Sequence, residues 1–113
     1  MIVCFSFKAK AGKEKDFERL LTDPEAGLAN ARAMGATRNT LFLGGGRMVR
    51  VLEFPEGAKP SDMAEMAAKD PRLRAFLEKI GPLIEGGFDM DKPESLDAFN
   101  RRISFPAAYD VRP

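Results

Sequence analysis

An arginine sits inside an apolar strand-like run in the stretch TLFLGGGRMVRVLEF, Thr40 to Phe54. A guanidinium there pairs with a carboxylate, reaches a sheet edge, or points into a cavity that accepts anionic or carbonyl oxygens. Left buried and unpaired it would be strongly destabilising. Arg50 is therefore the first candidate for a functional side chain. The three glycines before it, Gly44 to Gly46, are no phosphate loop, because that use needs a helix N-terminus after the glycines and here a second strand follows.

Other chemistries are limited by what the chain lacks. It has no histidine, so Ser-His-Asp and Cys-His arrangements are excluded, and the commonest zinc and non-haem iron sites lose their usual ligand. Cys4 has no second cysteine to pair with; it reads as a small buried hydrophobe, with a reactive thiol as the alternative. The acidic segment DMDKPESLD offers Asp89, Asp91, Glu94 and Asp97 as oxygen ligands, but without the glycine and spacing of a calcium-binding loop. Carboxylates near the start of a helix opened by Pro93 are explained by the helix dipole. No metal and no organic cofactor are expected.

The elements that position Arg50 follow from periodicity. Thr40 to Leu43 and Met48 to Leu52 read as two strands of a hairpin, reversed by glycines that tolerate positive φ. Alternation places Met48, Arg50, Leu52 and Phe54 on one face and Val49, Val51 and Glu53 on the other. Ile2 to Ala9 is a strand with Val3, Phe5 and Phe7 on one side and Ile2, Cys4 and Ser6 on the other. Lys13 to Thr22 carries Phe17, Leu20 and Leu21 at helical spacing. Asp23-Pro24 reads as an N-cap and first helical position for a helix running to Gly35, and Asp70-Pro71 starts another in which Leu73, Phe76, Leu77 and Ile80 recur at i, i+3, i+4 and i+7 until Gly81-Pro82. Between them Ser61 is expected to cap a short helix whose buried side is Met63, Met66 and Ala67. Pro93 to Arg102 is expected as a helix burying Leu96 and Phe99, and Ile103 to Val111 as a last strand, which Pro106 confines to an edge or forces to bulge.

This order predicts one α+β domain over residues 1–113, a ferredoxin-like βαββαβ sandwich with an extra C-terminal helix. Its helix-free sheet face would also be apolar, which predicts a symmetric homodimer. The chain is 44% hydrophobic and 31% charged with a formal net charge of +1, the balance of a soluble globular protein without the basic footprint of a nucleic-acid binder. The N-terminus MIVCFSFKAK lacks a positive n-region and a membrane-length apolar run, so a cytoplasmic location without membrane association is expected.

The run TLFLGGGRMVRVLEFPEG, followed by DPRLRAFLEKIGPLI and KPESLDAFNRR, resembles the SchA/CurD-like proteins of aromatic polyketide and spore-pigment clusters. It is more distantly similar to the tetracenomycin-type polyketide cyclases. The resemblance covers nearly the whole chain and is strongest from Thr40 to Arg102. It implies a dimeric α+β barrel and a role in shaping an aromatic polyketide. In the SchA/CurD-like pattern the position of Arg50 is also arginine, close to the Leu-Glu that stands here as Leu52 and Glu53. In the tetracenomycin-type pattern that position is a histidine, the one matching Asn39 is an arginine, and further histidines and aspartates follow the first helix. None of those histidines exists here, so acid/base chemistry that depends on them does not transfer.

The function implied is a cofactor-independent polyketide cyclase or aromatase acting by intramolecular aldol condensation and dehydration. Methylenes flanked by two carbonyls are already acidic, so a defined fold and enolate stabilisation can replace a strong base. In this reading Arg50 and Asn39 are the catalytic donors, Phe5, Phe7, Leu41, Leu52 and Tyr109 bind substrate, and Tyr109, Asp89 or Glu53 relay protons. Two alternatives stay open: a cofactor-free monooxygenase forming a quinone on the same fold, and a non-catalytic chaperone or scaffold for the polyketide. An acyl carrier protein is a further candidate partner, although the near-neutral charge disfavours docking to an acidic surface.

Overall fold

A computed structural model describes residues 1–58 and 63–113. Strands β1 (Ile2–Lys8), β2 (Arg38–Gly44), β3 (Arg47–Glu53) and β4 (Ser104–Phe105) form one antiparallel sheet in the order β2-β3-β1-β4. Among the described residues there are five α-helices: α1 (Glu14–Leu21), α2 (Pro24–Met34), α3 (Met63–Lys69), α4 (Pro71–Ile80) and α5 (Pro93–Ile103). The arrangement is α+β and consistent with a ferredoxin-like fold. Among the described residues no helix is long and apolar enough to cross a membrane.

The helix boundaries follow local chemistry. Asp23 accepts from the Glu25 and Ala26 amides at 3.0 and 3.4 Å, and Asp70 from those of Arg72 and Leu73 at the same two distances. Each thus caps a helix whose first position is proline. Gly35 ends α2 at φ +75, the left-handed conformation that closes helices. At Gly81-Pro82 the end of α4 tightens into a 3-10 turn over Gly81–Leu83. Ser61, expected to cap α3, and the side chain of Met63 lie outside the described residues.

The hairpin turn is tighter than three glycines require. Gly44 stays in β2, paired with Arg47, and Gly45 and Gly46 alone make the reversal with φ +58 and +73. Positive φ at both central positions gives a turn whose twist matches that of the strands. The Gly46 carbonyl also accepts from the Ala9 amide at 2.8 Å, which ties the turn to the end of β1.

The last strand departs from expectation. Ile103 completes α5 and is 4% exposed, and β4 holds only Ser104 and Phe105 against Phe5 and Cys4. Pro106 has no N–H for the next rung, so the ladder stops and the tail leaves the sheet.

The two sheet faces differ in cover. The helices pack on the face of Phe5, Phe7 and Met48, where Phe17, Phe99, Met48, Ile80 and Ile84 are the fully buried centre. Phe7 meets Phe17 edge-on at 5.8 Å and Phe99 at 5.7 Å, geometries that rings favour. The other face carries Ile2, Cys4, Val49 and Val51, with Phe42 and Phe105 more than half exposed.

Gly46→Ala is expected to lower the unfolding free energy by about 1–2 kcal/mol, the strain of a left-handed residue with a Cβ. That Cβ would also stand 2.9 Å from Glu14 Cγ. Gly44→Ala, with open space around its added Cβ, is expected to be neutral or to stabilise by up to about 1 kcal/mol. Urea midpoints of the two variants check this, and equal effects would contradict the turn assignment.

Candidate functional site

Register places Arg50 at the centre of the covered face. It lies opposite Phe5 on β1 and Leu41 on β2, while Asn39 lies opposite Leu52 and so diagonal to Arg50. A long side chain spans that diagonal. Arg50 Nη1 donates to Asn39 Oδ1 at 2.9 Å, and Asn39 Nδ2 donates to the Gly27 carbonyl of α2 at 2.9 Å. The helix backbone therefore fixes the amide, and the amide fixes the guanidinium.

Among the described residues no carboxylate pairs with Arg50. The amide orients the charge without neutralising it. Burial pulls the Arg50 pKa below its ordinary value by desolvation, yet a guanidinium keeps its proton in proteins. Among the described residues no fully buried side-chain nitrogen or oxygen lacks a partner, so the remaining Arg50 donors are open to accessible space.

That space is a cavity of about 410 Å³ between sheet and helices. Phe5, Phe7, Met48 and Arg50 form its floor, and Met66, Leu73, Phe76 and Leu77 its roof. Ile84, Phe88 and Phe99 close one end, and Glu65, Lys69 and Asp70 line its polar rim. Methionines at positions 34, 48 and 66 give walls that can adapt to an irregular ligand. The rim charges have partners: Lys69 meets Glu65 at 3.2 Å, and Asp70 caps α4 and meets Arg72 at 3.7 Å. A second cavity of about 460 Å³ lies under the α1–α2 corner and is reached by Asn39, Leu41 and Arg50 from the sheet.

The candidate residues divide accordingly. Phe5 and Phe7 line the first cavity, Asn39 and Leu41 the second, and Arg50 both. Leu52 is 4% exposed on the same face but lies outside both linings. Tyr109 is 81% exposed in the tail beyond β4, away from either lining because the strand expected to carry it stops at Phe105. Glu53 lies in register with Ile2 and Arg38, on the uncovered face. Asp89 accepts from the Asp91 amide at 2.9 Å and meets Lys92 at 3.9 Å in the loop before α5. Neither acid lines a cavity.

Sequence reasoning missed Asn30, which lines both cavities. A signal was present: Gly27, Asn30, Ala31 and Met34 fall at i, i+3, i+4 and i+7 of α2, so a polar residue interrupts an otherwise small and apolar stripe.

The model of the SchA/CurD-like domain matches residues 1–111. The chain belongs to the SchA/CurD-like family. Polyketide synthase CurD of Streptomyces cyaneus is 32% identical over 109 residues, 94% of this chain and 29% of that protein. A 42.8 kDa protein in the whiE locus of Streptomyces coelicolor is 29% identical over 107 residues, 92% of this chain and 26% of its own length. Protein SchA of Streptomyces halstedii is 31% identical over 90 residues, 80% of this chain and 23% of its own. The chain thus spans less than a third of each of these relatives, as one SchA/CurD-like domain.

Asn39→Ala removes the link between Gly27 and Arg50, and is expected to destabilise the domain by about 1–3 kcal/mol through the orphaned carbonyl and guanidinium. Chemical denaturation measures it. An unchanged midpoint would show that the relay contributes nothing to the fold.

Proposed function

We propose that this SchA/CurD-like domain binds a poly-β-ketone or partly cyclised aromatic polyketide and promotes its intramolecular aldol cyclisation without a cofactor. The observation that carries the reading is a charge-bearing Arg50, held by Asn39 and without a carboxylate partner among the described residues, at the floor of a largely apolar cavity. The CurD relative is named a polyketide synthase, which supports the substrate class.

The reaction fits these groups. A methylene between two carbonyls loses a proton to water, and its carbon attacks a distant carbonyl of the same chain. The new C–C bond leaves an alkoxide that takes a proton back, and loss of water followed by enolisation of the remaining ring ketones gives the aromatic ring. Arg50 holds the enolate or alkoxide oxygen through its forked donors, and the cavity holds the chain in the folded conformation that brings the carbons together. A template role without turnover is the second reading. It is favoured by the position of the carboxylates that line this cavity, Glu65 and Asp70, which stand at its rim, the latter engaged as the α4 cap.

The same proposal includes a cytoplasmic homodimer in which two uncovered sheet faces close a dimeric α+β barrel. Phe42 at 58% and Phe105 at 57% exposure are side chains such a contact would cover.

A minimal polyketide synthase reconstituted with and without the protein tests the activity. Arg50→Met is expected to abolish the protein-dependent product while the domain stays folded, and Arg50→Lys, which keeps the charge but loses the fork, to impair it. An unfolded Arg50→Met variant, or an unchanged product profile, would make the guanidinium structural. Oxygen uptake coupled to quinone formation would replace cyclisation with oxidation. For the dimer, sedimentation at micromolar concentration should give twice the chain mass, reduced to the monomer by Phe42→Lys; a wild-type monomer would remove the barrel.

A further inference from the structure

The two cavities share one wall, made by Leu21, Asn30, Arg50 and Phe76. They reach the surface on different sides. The first has its rim at Glu65, Lys69 and Asp70 around the α3–α4 junction, and the second at Thr22, Asp23 and the half-exposed Leu28 at the α1–α2 corner. Their linings also differ: inside its charged rim the first is closed in by phenylalanines and methionines, whereas the second brings Thr22, Asp23 and Asn39 to its surface.

We propose that the two cavities are the arms of one binding site bent at Arg50, with Asn30 as its second oxygen-binding side chain, so that the site takes a linear chain bearing carbonyls on both sides of the bend. The proposal deepens the polyketide reading and rests on it. A compact fused-ring molecule would need one arm alone, since each is already the size of a small-molecule pocket. A flexible chain needs both, and it needs polar groups at the point where it turns.

Asn30 has the chemistry for that place. Its amide offers donors and an acceptor, and it makes no hydrogen bond to protein among the described residues. It projects from α2 one turn after Gly27, the residue whose carbonyl anchors Asn39. One helix therefore orients the guanidinium and supplies the neighbouring amide. A carbonyl held by Asn30 and another held by Arg50 would fix the chain at the shared wall, with its ends in different arms.

The protein contains three asparagines, Asn30, Asn39 and Asn100, and no glutamine, so its side-chain amide NMR signals are few and assignable. The probes are linear pentadecane-6,10-dione, whose carbonyls stand either side of the chain centre, short hexane-2,5-dione and the fused-ring ketone 2-acetylnaphthalene. The long diketone is expected to shift the amides of both Asn30 and Asn39 and to leave Asn100 unmoved. Asn30→Ala, which suits a helix, is expected to weaken the long diketone about five- to tenfold, the effect of one lost hydrogen bond, and to leave 2-acetylnaphthalene unchanged. Arg50→Met should weaken all three probes. If the long diketone binds through Arg50 but Asn30 stays silent and Asn30→Ala is without effect, the bent site is overturned and the polyketide reading stands. If no probe binds the wild-type protein, both fall together.

Discussion

A guanidinium withdrawn from water must find acceptors, and the arrangement around Arg50 follows from that requirement. A carboxylate neighbour would satisfy the charge and leave nothing for a ligand. The amide of Asn39 supplies one oxygen and keeps the charge intact. That amide is itself fixed by the Gly27 carbonyl, so α2 has to lie where its second turn faces β2. The Asp23 cap and the left-handed Gly35 set the two ends of that helix. Phe5 and Leu41, facing Arg50 from both neighbouring strands, limit water and sharpen the field that the remaining donors present to the cavity.

The two sides of the sheet differ in character. The covered side holds a charged group in a largely apolar chamber, and the uncovered side carries Ile2, Cys4, Val49 and Val51 with Phe42 and Phe105 at its margins, flanked by Lys8 and Arg47 at one end and by Arg38 and Glu53 at the other. Strand alternation makes this possible, since Arg50 and its chain neighbours Val49 and Val51 belong to opposite faces. The cavity wall and the uncovered surface thus share a backbone without sharing a side chain. For a domain that matches less than a third of its longer relatives, this separation lets either face change without disturbing the other.

Features set by local chemistry were legible in the sequence. Asp-Pro pairs at positions 23 and 70 start helices where the caps and dipoles demand, and the stripe Leu73, Phe76, Leu77 and Ile80 turns inward as its spacing requires. The Arg50 side chain could be placed mid-strand, on the face of Met48 and Leu52, from strand alternation. Its partner could not: the choice among carboxylate, edge and cavity depends on which residues of distant elements arrive nearby. Empty space is likewise invisible to periodicity, because Leu73 and Phe76 have the same pattern whether they meet other side chains or line a chamber. Tyr109 was assigned to the site on a strand that Pro106 does not allow, and Asn30 was passed over because α2, rich in alanine and glycine, shows only a weak amphipathic pattern.

The register of the sheet also bears on the order in which the chain assembles. β2 and β3 meet across two residues, whereas β1 must close long loops to reach β3, as in the contact from Ser6 Oγ to the Met48 carbonyl 42 residues away. Loop-closure entropy favours the hairpin first and β1 afterwards. In the hairpin alone Asn39 and Arg50 are already diagonal neighbours, still in contact with water. The arrival of β1 and the helices then covers the guanidinium in part, as α2 fixes its acceptor through the Gly27 carbonyl. The non-local pairing is thus the one that closes the chamber, over a guanidinium that already has Asn39 as its diagonal neighbour.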